Sequence, residues 1–252
     1  NGFTMSGTDR IMSGRGHQQF ATTHWSVVLA AGRPEGSRYR EALASLCRSY
    51  WPPLYAFLRR SGKSQADAED LTQAFFAHLM DRKSPDVADP QRGRFRSFPL
   101  SCVKHFVASE RRDAARLKRG GGAKVMALDF KSAESRLSLE PSHELTPERA
   151  FEKGWALTLL DRATQRLREE MTQAGKAKLL DVLAPHLTRS QERGQYEEAA
   201  KELEMTSGAV RTAMSRLRER LRHFIREEVA QTVESEDEID AEIRELMAAV
   251  AT

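Results

Sequence analysis

Apolar residues recur at helical spacing through most of the chain, beginning near residue 38. Positions 39, 43, 46, 47 and 50 are apolar, at i, i+4, i+7, i+8 and i+11, which predicts one buried stripe on a helix over residues 38–50. Pro52 and Pro53 must kink or break this helix, because proline lacks the backbone N–H that the helical ladder needs. Leu54, Phe57 and Leu58 continue the stripe beyond the kink.

The next two amphipathic segments begin at residues that suit helix starts. Ser64 is a good N-cap with Asp67 three residues on, and its helix is predicted to reach about residue 80. Residues 84–97 contain proline and arginine and predict a loop. Pro99 fits the first turn of the following helix, which runs into a basic stretch ending at Arg119.

A weakly patterned segment separates these helices from a second group. Three consecutive glycines, Gly120 to Gly122, begin this segment of low apolar content, which extends to Thr146. Thr146 and Pro147 fit the cap and first turn of a new helix. Further helical patterns cover residues 147–173, 175–187, 196–204 and 207–229. A last apolar stripe predicts one more helix in the tail: Ile239, Ile243, Leu246, Met247 and Val250.

These patterns predict an all-α fold with two helical domains joined by a flexible linker. Charged residues make up 30% and aromatic residues 7% of the 252 residues, a balance that favours helices over a sheet-rich fold. Phe20 and Trp25 are expected to anchor an N-terminal arm. The predicted divisions are the arm at 1–37, a first domain at 38–119, a linker at 120–146, a second domain at 147–229 and an acidic tail at 230–252.

Charge is distributed unevenly along the chain, although the net charge is only +4. Residues 92–119 hold nine Lys or Arg against two acids, and residues 206–226 hold six Arg against one acid. Residues 229–252 hold seven acids against one Arg. Each basic block alone could be a solvated helical face, but two separate blocks indicate two contacts with a polyanion.

Few features of the chain indicate catalysis, metal binding or a membrane. Cys47 and Cys102 are far apart, and without a CxxC motif or Cys/His cluster they are interpreted as free thiols in a reducing cytoplasm. No apolar run reaches transmembrane length. The candidate polar residues form no recognisable catalytic or metal-binding set, so neither an enzyme nor a cofactor is expected: Asp67, Asp70, His78, His105 and His186.

Residues 196–221, YEEAAKELEMTSGAVRTAMSRLRERL, have the pattern of a helix-turn-helix. Ala200 is the small residue where the two helices cross, Leu203 and Met205 are predicted to fill the turn, and Ser207 is predicted to cap the second helix. Glu204 stands where such turns often carry glycine, and a slightly longer turn would avoid a left-handed residue there.

The second helix of this motif is suited to a DNA major groove. Val210 and Met214 are predicted to face inward. The outer face then offers arginines and hydroxyl groups, which can bind guanine edges and phosphates: Arg211, Thr212, Ser215, Arg216 and Arg218. An ordinary basic helical hairpin is the alternative interpretation.

With these motifs, residues 38–229 resemble an extracytoplasmic-function (ECF) sigma factor. SQADAEDLTQAFFAHLM at 64–80 resembles region 2.2, which docks on the clamp helices of the polymerase β′ subunit. GRFRSFPLSCVKHFVASERRDAARLKR at 93–119 resembles regions 2.3 and 2.4, which melt and read the −10 element. The helix-turn-helix resembles region 4.2, which reads the −35 element, and TTHWSVVLAAG at 22–32 resembles an N-terminal segment of one ECF subgroup.

The resemblance implies a cytoplasmic, non-enzymatic factor that binds core RNA polymerase and directs promoter recognition and transcription initiation. Contacts with the polymerase would involve the β′ clamp helices and the β flap, and the implied clamp-facing residues are Asp67, Glu69, Asp70 and Gln73. The implied −10 contacts are Arg94, Arg96, Phe98, Lys104, His105, Arg111 and Arg112. The implied −35 contacts are Ser207, Arg211, Thr212, Ser215, Arg216 and Arg218.

Two positions depart from the family pattern. His105 stands where asparagine is common, and Ala74 stands where region 2.2 often has glutamate. Regulation is left open between an anti-sigma factor, a Ser/Thr kinase acting at Thr72, and the acidic tail. The tail could either screen Arg216, Arg220 and Arg222 or pack as a helix on the second domain. Rival functions are a dimeric helix-turn-helix regulator and an anti-sigma partner.

Overall fold

The computed structural model describes residue 24 and residues 37–81, 94–113, 127–138, 145–187 and 195–251. These segments form nine α-helices and contain no β-strand. The helices are α1 (Ser37–Arg60), α2 (Gln65–Asp81), α3 (Ser97–Asp113), α4 (Phe130–Ser138), α5 (Pro147–Gln173), α6 (Ala177–Leu183), α7 (Gln195–Glu202), α8 (Ser207–Ala230) and α9 (Ile239–Ala251). Short 3-10 turns, Ala184–His186 and Glu236–Glu238, follow α6 and precede α9. The predicted all-α fold is confirmed for this part of the chain.

α1 is kinked where the sequence predicts a kink. Tyr50 leaves helical geometry, with φ −111° and ψ 16°, just before Pro52 and Pro53. The kinked helix packs against α5, and Gly154 of α5 makes that approach possible. A Cβ added at Gly154 would come within 3.0 Å of the Pro53 Cα, so any side chain there would push the two helices apart.

The predicted start of α2 is confirmed by its cap. The Ser64 hydroxyl oxygen accepts a hydrogen bond from the Asp67 backbone N–H at 3.1 Å, and the hydroxyl donates to the Asp67 carboxylate at 2.7 Å. Further along α2, Phe75 and Phe76 are buried, and the Phe75 ring meets the Phe106 ring of α3 edge-on at a centroid distance of 5.7 Å. These contacts join α2 and α3 on one side of α1.

The first hydrophobic core draws on helices that are far apart in sequence. Tyr50 of α1 stacks on Trp155 of α5 at a ring-centroid distance of 4.2 Å. The end of α8, the following turn and α9 add buried apolar side chains to the same core: Val229, Val233, Ile239 and Leu246. The chain after residue 147 is therefore shared between two cores, because the first half of α5 and the apolar side of α9 belong to the core that α1, α2 and α3 form.

The second core is formed by the rest of α5 with α6, α7 and α8, and includes Leu167, Leu180, Ala199 and Met214. α5 begins and ends at the predicted residues, and the Thr146 side chain accepts a hydrogen bond from the Arg149 N–H at 3.3 Å.

The cap of α8 differs from the prediction. Thr206, and not Ser207, is the N-cap, because its hydroxyl accepts a hydrogen bond from the Ala209 N–H at 3.2 Å. Ser207 is the first residue of the helix itself.

A helix that the sequence analysis did not predict lies within residues 120–146. α4 packs against α1 through Phe130, whose ring lies 4.9 Å from Trp51 and 5.3 Å from Tyr55 between centroids. Glu134 accepts hydrogen bonds from the Tyr55 hydroxyl at 2.6 Å and from Arg59 Nη2 at 2.7 Å. The predicted linker therefore includes an ordered helix that is held on the first core.

Some sequence predictions fall outside the described residues, including the anchors Phe20 and Trp25 and the glycines at 120–122. His24 of the predicted arm is described: its backbone N–H donates to the Gln231 carbonyl at 2.9 Å, and its ring is buried between Tyr50 and Phe95. Among the described helices, none combines the length and apolar character that a membrane span requires.

Candidate nucleic-acid interface

The helix-turn-helix predicted from the sequence is formed by α7, a tight turn and α8. Ala200 is buried where the helices approach each other. The Leu203 N–H donates to the Ala199 carbonyl and the Met205 N–H to the Ala200 carbonyl, both at 2.9 Å. These bonds close the turn and set the angle at which α8 leaves α7.

Two details of the turn differ from the prediction. Glu204 has φ 54° and so adopts the left-handed conformation that a longer turn was expected to avoid. Met205 does not fill the turn but lies at the surface with 36% of its area exposed. Leu203 is the residue that packs against the second core, as predicted.

The first half of α8 presents a polar face to solvent. Arg211, Thr212, Ser215 and Arg216 are all exposed, and their spacing of i, i+1, i+4 and i+5 places them together on one side of the helix. Val210 and Met214 lie on the other side and are buried, as predicted. The Thr212 hydroxyl donates to the Gly208 carbonyl at 3.0 Å, so its methyl group and oxygen are held in a fixed orientation.

Arg218 starts from the same side of α8 as Arg211 and Ser215, but its guanidinium is turned onto the protein, contrary to the prediction that it is offered to DNA. Its guanidinium donates from Nε to the Leu187 carbonyl at 3.1 Å and from Nη2 to the His186 carbonyl at 2.8 Å. These carbonyls belong to the end of the 3-10 turn after α6, where backbone acceptors lack helical partners. Arg218 therefore ties α8 to that turn.

Arg220 is also engaged within the protein. It pairs with Glu170 of α5 at 2.5 Å and lies over the Phe224 ring at 4.3 Å from the centroid. The hydrogen bond from Arg220 lowers the pKa of Glu170 below its ordinary value. The tail does not reach this pair, and Arg216 and Arg222 are exposed, so the alternative in which the tail screens these three arginines is wrong. The other alternative is confirmed, since α9 packs as a helix on α5 and α8.

The tail instead contacts two of the predicted −10 residues. Arg94 and Arg96, just before α3, face Glu242 and Glu245 of α9. Arg94 Nη1 lies 3.0 Å from Glu242 and also pairs with Glu245, while Arg96 lies 3.1 Å from Glu242 and 2.6 Å from Glu245. The sequence analysis missed this partnership, although the acidic run in the tail was its available signal.

The pKa values of Glu242 and Glu245 are shifted in opposite directions. Burial raises the pKa of Glu242, and the neighbouring Arg96 and Arg94 oppose that shift without reversing it. A hydrogen bond from Arg94 lowers the pKa of Glu245, which stands half exposed at the rim. The buried and exposed members of the pair therefore hold the same two guanidinium groups.

The remaining −10 candidates have different environments. Lys104 is exposed and pairs with Glu148 at 2.7 Å, which lowers the pKa of that carboxyl group, and His105 is exposed. Phe98 is only 8% exposed and belongs to the first core, so in this conformation it does not offer a ring to a base. Arg111 and Arg112 lie in α3, and their side chains are outside the described part of the structure.

The predicted polymerase-binding residues lie on α2. Asp67 and Asp70 are exposed, and Glu69 and Gln73 are partly exposed. Glu69 accepts a hydrogen bond from the Gln65 side-chain amide at 2.9 Å. The helix therefore presents an acidic surface near its N-terminal end, where the helix dipole stabilises negative charge.

Thr72, the predicted phosphorylation site, is not accessible. Its side chain is fully buried, and its hydroxyl donates to the Ala68 carbonyl at 2.7 Å. A kinase could not reach this hydroxyl in the folded domain, and a phosphate group there would have to enter the core. The hypothesis is therefore rejected for this conformation.

The cysteines and acidic groups of the described residues do not form a metal site. No group of three or more His, Cys, Asp or Glu in that part of the chain could hold a metal ion. Cys47 and Cys102 are free thiols, and burial raises the pKa of Cys47 to about 12. Such a thiol stays protonated at neutral pH and is a poor nucleophile.

Comparison with known families gives one finding. Residues 46–117 match the family model of sigma-70 region 2. No curated protein and no solved structure matches the chain. The matched segment includes the kink of α1, all of α2 and the described part of α3. The match makes residues 46–117 similar to region 2 of sigma-70 factors and covers less than a third of the chain.

Proposed function

We propose that this chain is a sigma factor of the ECF type, which binds core RNA polymerase in the cytoplasm and directs it to promoters without catalysing a reaction itself. The observation that carries the proposal is the match of residues 46–117 to sigma-70 region 2. A separate helix-turn-helix with an exposed basic face, formed by α7 and α8, supports it. The order of the two modules is that of an ECF factor.

The polymerase contact is assigned to α2. Asp67, Glu69, Asp70 and Gln73 would face the β′ clamp helices, and the β flap would receive the second domain. Exposed carboxylates at a helix surface favour a cationic partner, and their mutual repulsion would be relieved by that partner. Ala74 is exposed next to them and offers no charge, so this position would contribute only to shape.

The −10 contact is assigned to the basic surface around α3. Arg94, Arg96, Lys104 and His105 would follow the phosphates and edges of a melted strand, together with Arg111 and Arg112 of the same helix. Single-stranded DNA is held by cations along its backbone and by planar groups that stack on bases. Since Phe98 is buried, the guanidinium planes would supply the stacking surfaces.

The −35 contact is assigned to the exposed face of α8. Ser207, Arg211, Thr212, Ser215 and Arg216 would meet a major groove, with the helix N-terminus near a phosphate. Arg218 is left out of this assignment because it binds backbone carbonyls within the protein. The proposed modules are 38–119, whose core also takes in the first half of α5 and α9, and the rest of 147–229, which contains the helix-turn-helix. Residues 120–146 connect them and include α4.

Association with core polymerase tests the proposal. The protein should co-purify with core enzyme and support transcription from a promoter library that core enzyme alone does not use. The double variant E69K/D70K should weaken association at least about tenfold, because it reverses the charge of the clamp-facing surface. The matched control E236K/D237K makes the same charge change on exposed residues before α9 and should bind like the wild type.

A dimeric helix-turn-helix regulator makes the opposite prediction. It would bind palindromic duplex DNA without polymerase, with two copies on one site. A protein that forms such a complex and fails to bind core polymerase would overturn the proposal. A monomer that binds polymerase and protects two unlike promoter elements would support it.

A further inference from the structure

The C-terminal helix lies on the basic surface that the proposed function assigns to −10 DNA. Glu242 and Glu245 are one helical turn apart on α9 and reach both Arg94 and Arg96. The Arg96 side chain is only 11% exposed and that of Arg94 28%. The two arginines are thus largely occupied by a segment about 150 residues further along the chain.

Apolar packing and a further ion pair hold α9 in this position. Ile239 and Leu246 are 4% and 2% exposed and belong to the first core, with Ile243 and Val250 packed beside them. Asp240 pairs with Arg226 of α8. The backbone N–H of Phe95, between the two arginines, donates to the Thr232 carbonyl at 3.2 Å, so the segment leading to α9 is attached at the same place.

We propose that α9 is an internal competitor of promoter DNA, whose carboxylates at 242 and 245 occupy Arg94 and Arg96 until a melted strand displaces them. The inference rests on the proposed function, since it assigns regulation to the same −10 surface. Guanidinium groups bind carboxylates and phosphates through the same planar arrangement of N–H donors, so the two ligands exclude each other. In free protein the site would be closed by the tail.

The contact is suited to displacement because burying the Glu242 carboxylate costs free energy. Glu242 is fully buried, and neither of its carboxylate oxygens has a partner in hydrogen-bond geometry, although both lie near guanidinium groups. Burying a carboxylate without complete hydrogen bonding offsets much of the Coulomb attraction. A multiply charged DNA strand would therefore have to replace the hydrogen-bonded Glu245, while the release of Glu242 would relieve an unfavourable burial.

A purely structural role for α9 is the simpler interpretation, and the two make different predictions. If the helix only completes the core, neutralising its two carboxylates changes stability and leaves DNA binding like that of any variant of equal charge. If it competes with DNA, those two positions have an effect on DNA affinity that other tail acids do not share. The chain offers a matched control, because Glu236 and Asp237 are exposed acids of the same tail.

The experiment measures binding of a fluorescein-labelled single-stranded oligonucleotide to the full-length protein by anisotropy at low salt. The variant E242Q/E245Q should bind about tenfold more tightly than wild type, the scale expected when a charge-paired competitor is removed. The control E236Q/D237N makes the same change in net charge and should gain less than about twofold. Adding R94A/R96A to E242Q/E245Q should abolish the gain.

A second variant guards against an effect on folding. Leu246→Asp retains both carboxylates and removes the main apolar anchor of α9, so it should also raise oligonucleotide affinity while circular dichroism stays helical. Equal affinities for E242Q/E245Q and E236Q/D237N would overturn the inference, and so would a gain that survives R94A/R96A.

Core polymerase binding, measured in parallel on wild type, separates the two proposals. If wild type does not bind core polymerase and E242Q/E245Q still shows the expected gain in oligonucleotide binding, the proposed function is overturned and the competing contact stands. Normal polymerase association with no gain from E242Q/E245Q would overturn only the competing contact.

Discussion

Arg162 of α5 donates a hydrogen bond from Nε to the carboxylate of Glu228 on α8 at 2.6 Å. Glu228 is 1% exposed and accepts a second bond from Arg166 at 3.2 Å, while Arg162 also donates to the Ser49 hydroxyl of α1 at 2.8 Å. One buried carboxylate therefore joins α5 to α8 at the point where the two cores meet. α1 is joined to the same network through Arg162.

Replacing Glu228 with glutamine should destabilise this junction. The amide keeps the shape of the side chain but loses the charge-assisted bonds, which are worth about 1.5–3 kcal/mol each when measured by removal. We expect E228Q to lower the free energy of unfolding by about 2 kcal/mol in chemical denaturation. The neighbour Glu227 also pairs with Arg166 but is 41% exposed, so E227Q should cost less than about 1 kcal/mol. Equal losses in the two variants would contradict this account of the junction.

Local signals in the sequence were sufficient for much of the fold. The prolines after Tyr50, the Ser64 cap and the Thr146–Pro147 pair each act on the residues next to them, so their effects could be predicted without knowledge of tertiary contacts. α4 was missed for the opposite reason. It has few apolar residues, and its stability comes from Phe130 and Glu134 meeting Tyr55 and Arg59, more than 70 residues earlier.

The candidate site was predictable in its residue types and less so in their partners. The exposed face of α8 follows from helical periodicity, but the same periodicity could not show that Arg218 reaches backbone carbonyls 31 and 32 residues earlier. In the same way, a run of acids indicates a partner of opposite charge without saying which one. The tail packs as a helix on α5 and α8, which is one of the two alternatives that the sequence offered. The same packing brings it to Arg94 and Arg96, which the sequence did not indicate, because the apolar contacts of Ile239 and Leu246 decide its position.

His24 should make stability depend on pH below neutrality. Burial, with a smaller effect from Arg162, lowers the pKa of His24 to about 3, whereas an unfolded histidine titrates near 6.5. The unfolded state therefore takes up a proton between these values, so the stabilising contribution is complete above about pH 6.5 and is lost as pH falls toward 3. The free energy of unfolding should decrease by up to about 1.4 kcal/mol per pH unit from this group.

The variant His24→Phe tests this dependence, because phenylalanine can keep the ring contacts with Tyr50 and Phe95 and has no titrating nitrogen. Between pH 6.5 and 5, wild type should lose stability relative to the variant, because only wild type carries the His24 imidazole. The same substitution at the exposed His78 is the control for replacing an imidazole by a phenyl ring. A parallel profile for His24→Phe and wild type would show that His24 is not buried in solution.

Glu204 should be a position where glycine stabilises the helix-turn-helix. Its φ of 54° places a side chain in the left-handed region, at a cost of about 1 kcal/mol that glycine avoids. Part of this gain is lost because glycine has more freedom in the unfolded chain, so E204G should raise the free energy of unfolding by about 0.5 kcal/mol. Lys201 is exposed and helical, three residues earlier, and serves as the control. Lys201→Gly should lower the free energy of unfolding by about 1 kcal/mol. Thermal unfolding of the two variants beside wild type measures both, and destabilisation by E204G would mean that the turn has another conformation in solution.

Arg211 and Arg218 should separate DNA binding from folding within one helix. Arg211 is exposed on the polar face of α8, so Arg211→Ala should weaken binding to duplex DNA, with a loss of about 1–2 kcal/mol and a salt dependence reduced by roughly one counterion. Its melting temperature should stay within about 1 °C of wild type, because the side chain has few contacts.

Arg218→Ala should do the reverse. It leaves the carbonyls of His186 and Leu187 without their donor, so the melting temperature should fall by several degrees, corresponding to about 1–3 kcal/mol. DNA affinity measured well below that melting temperature should change less than about threefold, since the guanidinium points toward the protein. A fall in DNA affinity for Arg218→Ala as large as that for Arg211→Ala, with no loss of stability, would return Arg218 to the DNA-binding face. It would also require the Arg218 guanidinium to leave these two carbonyls when DNA is bound.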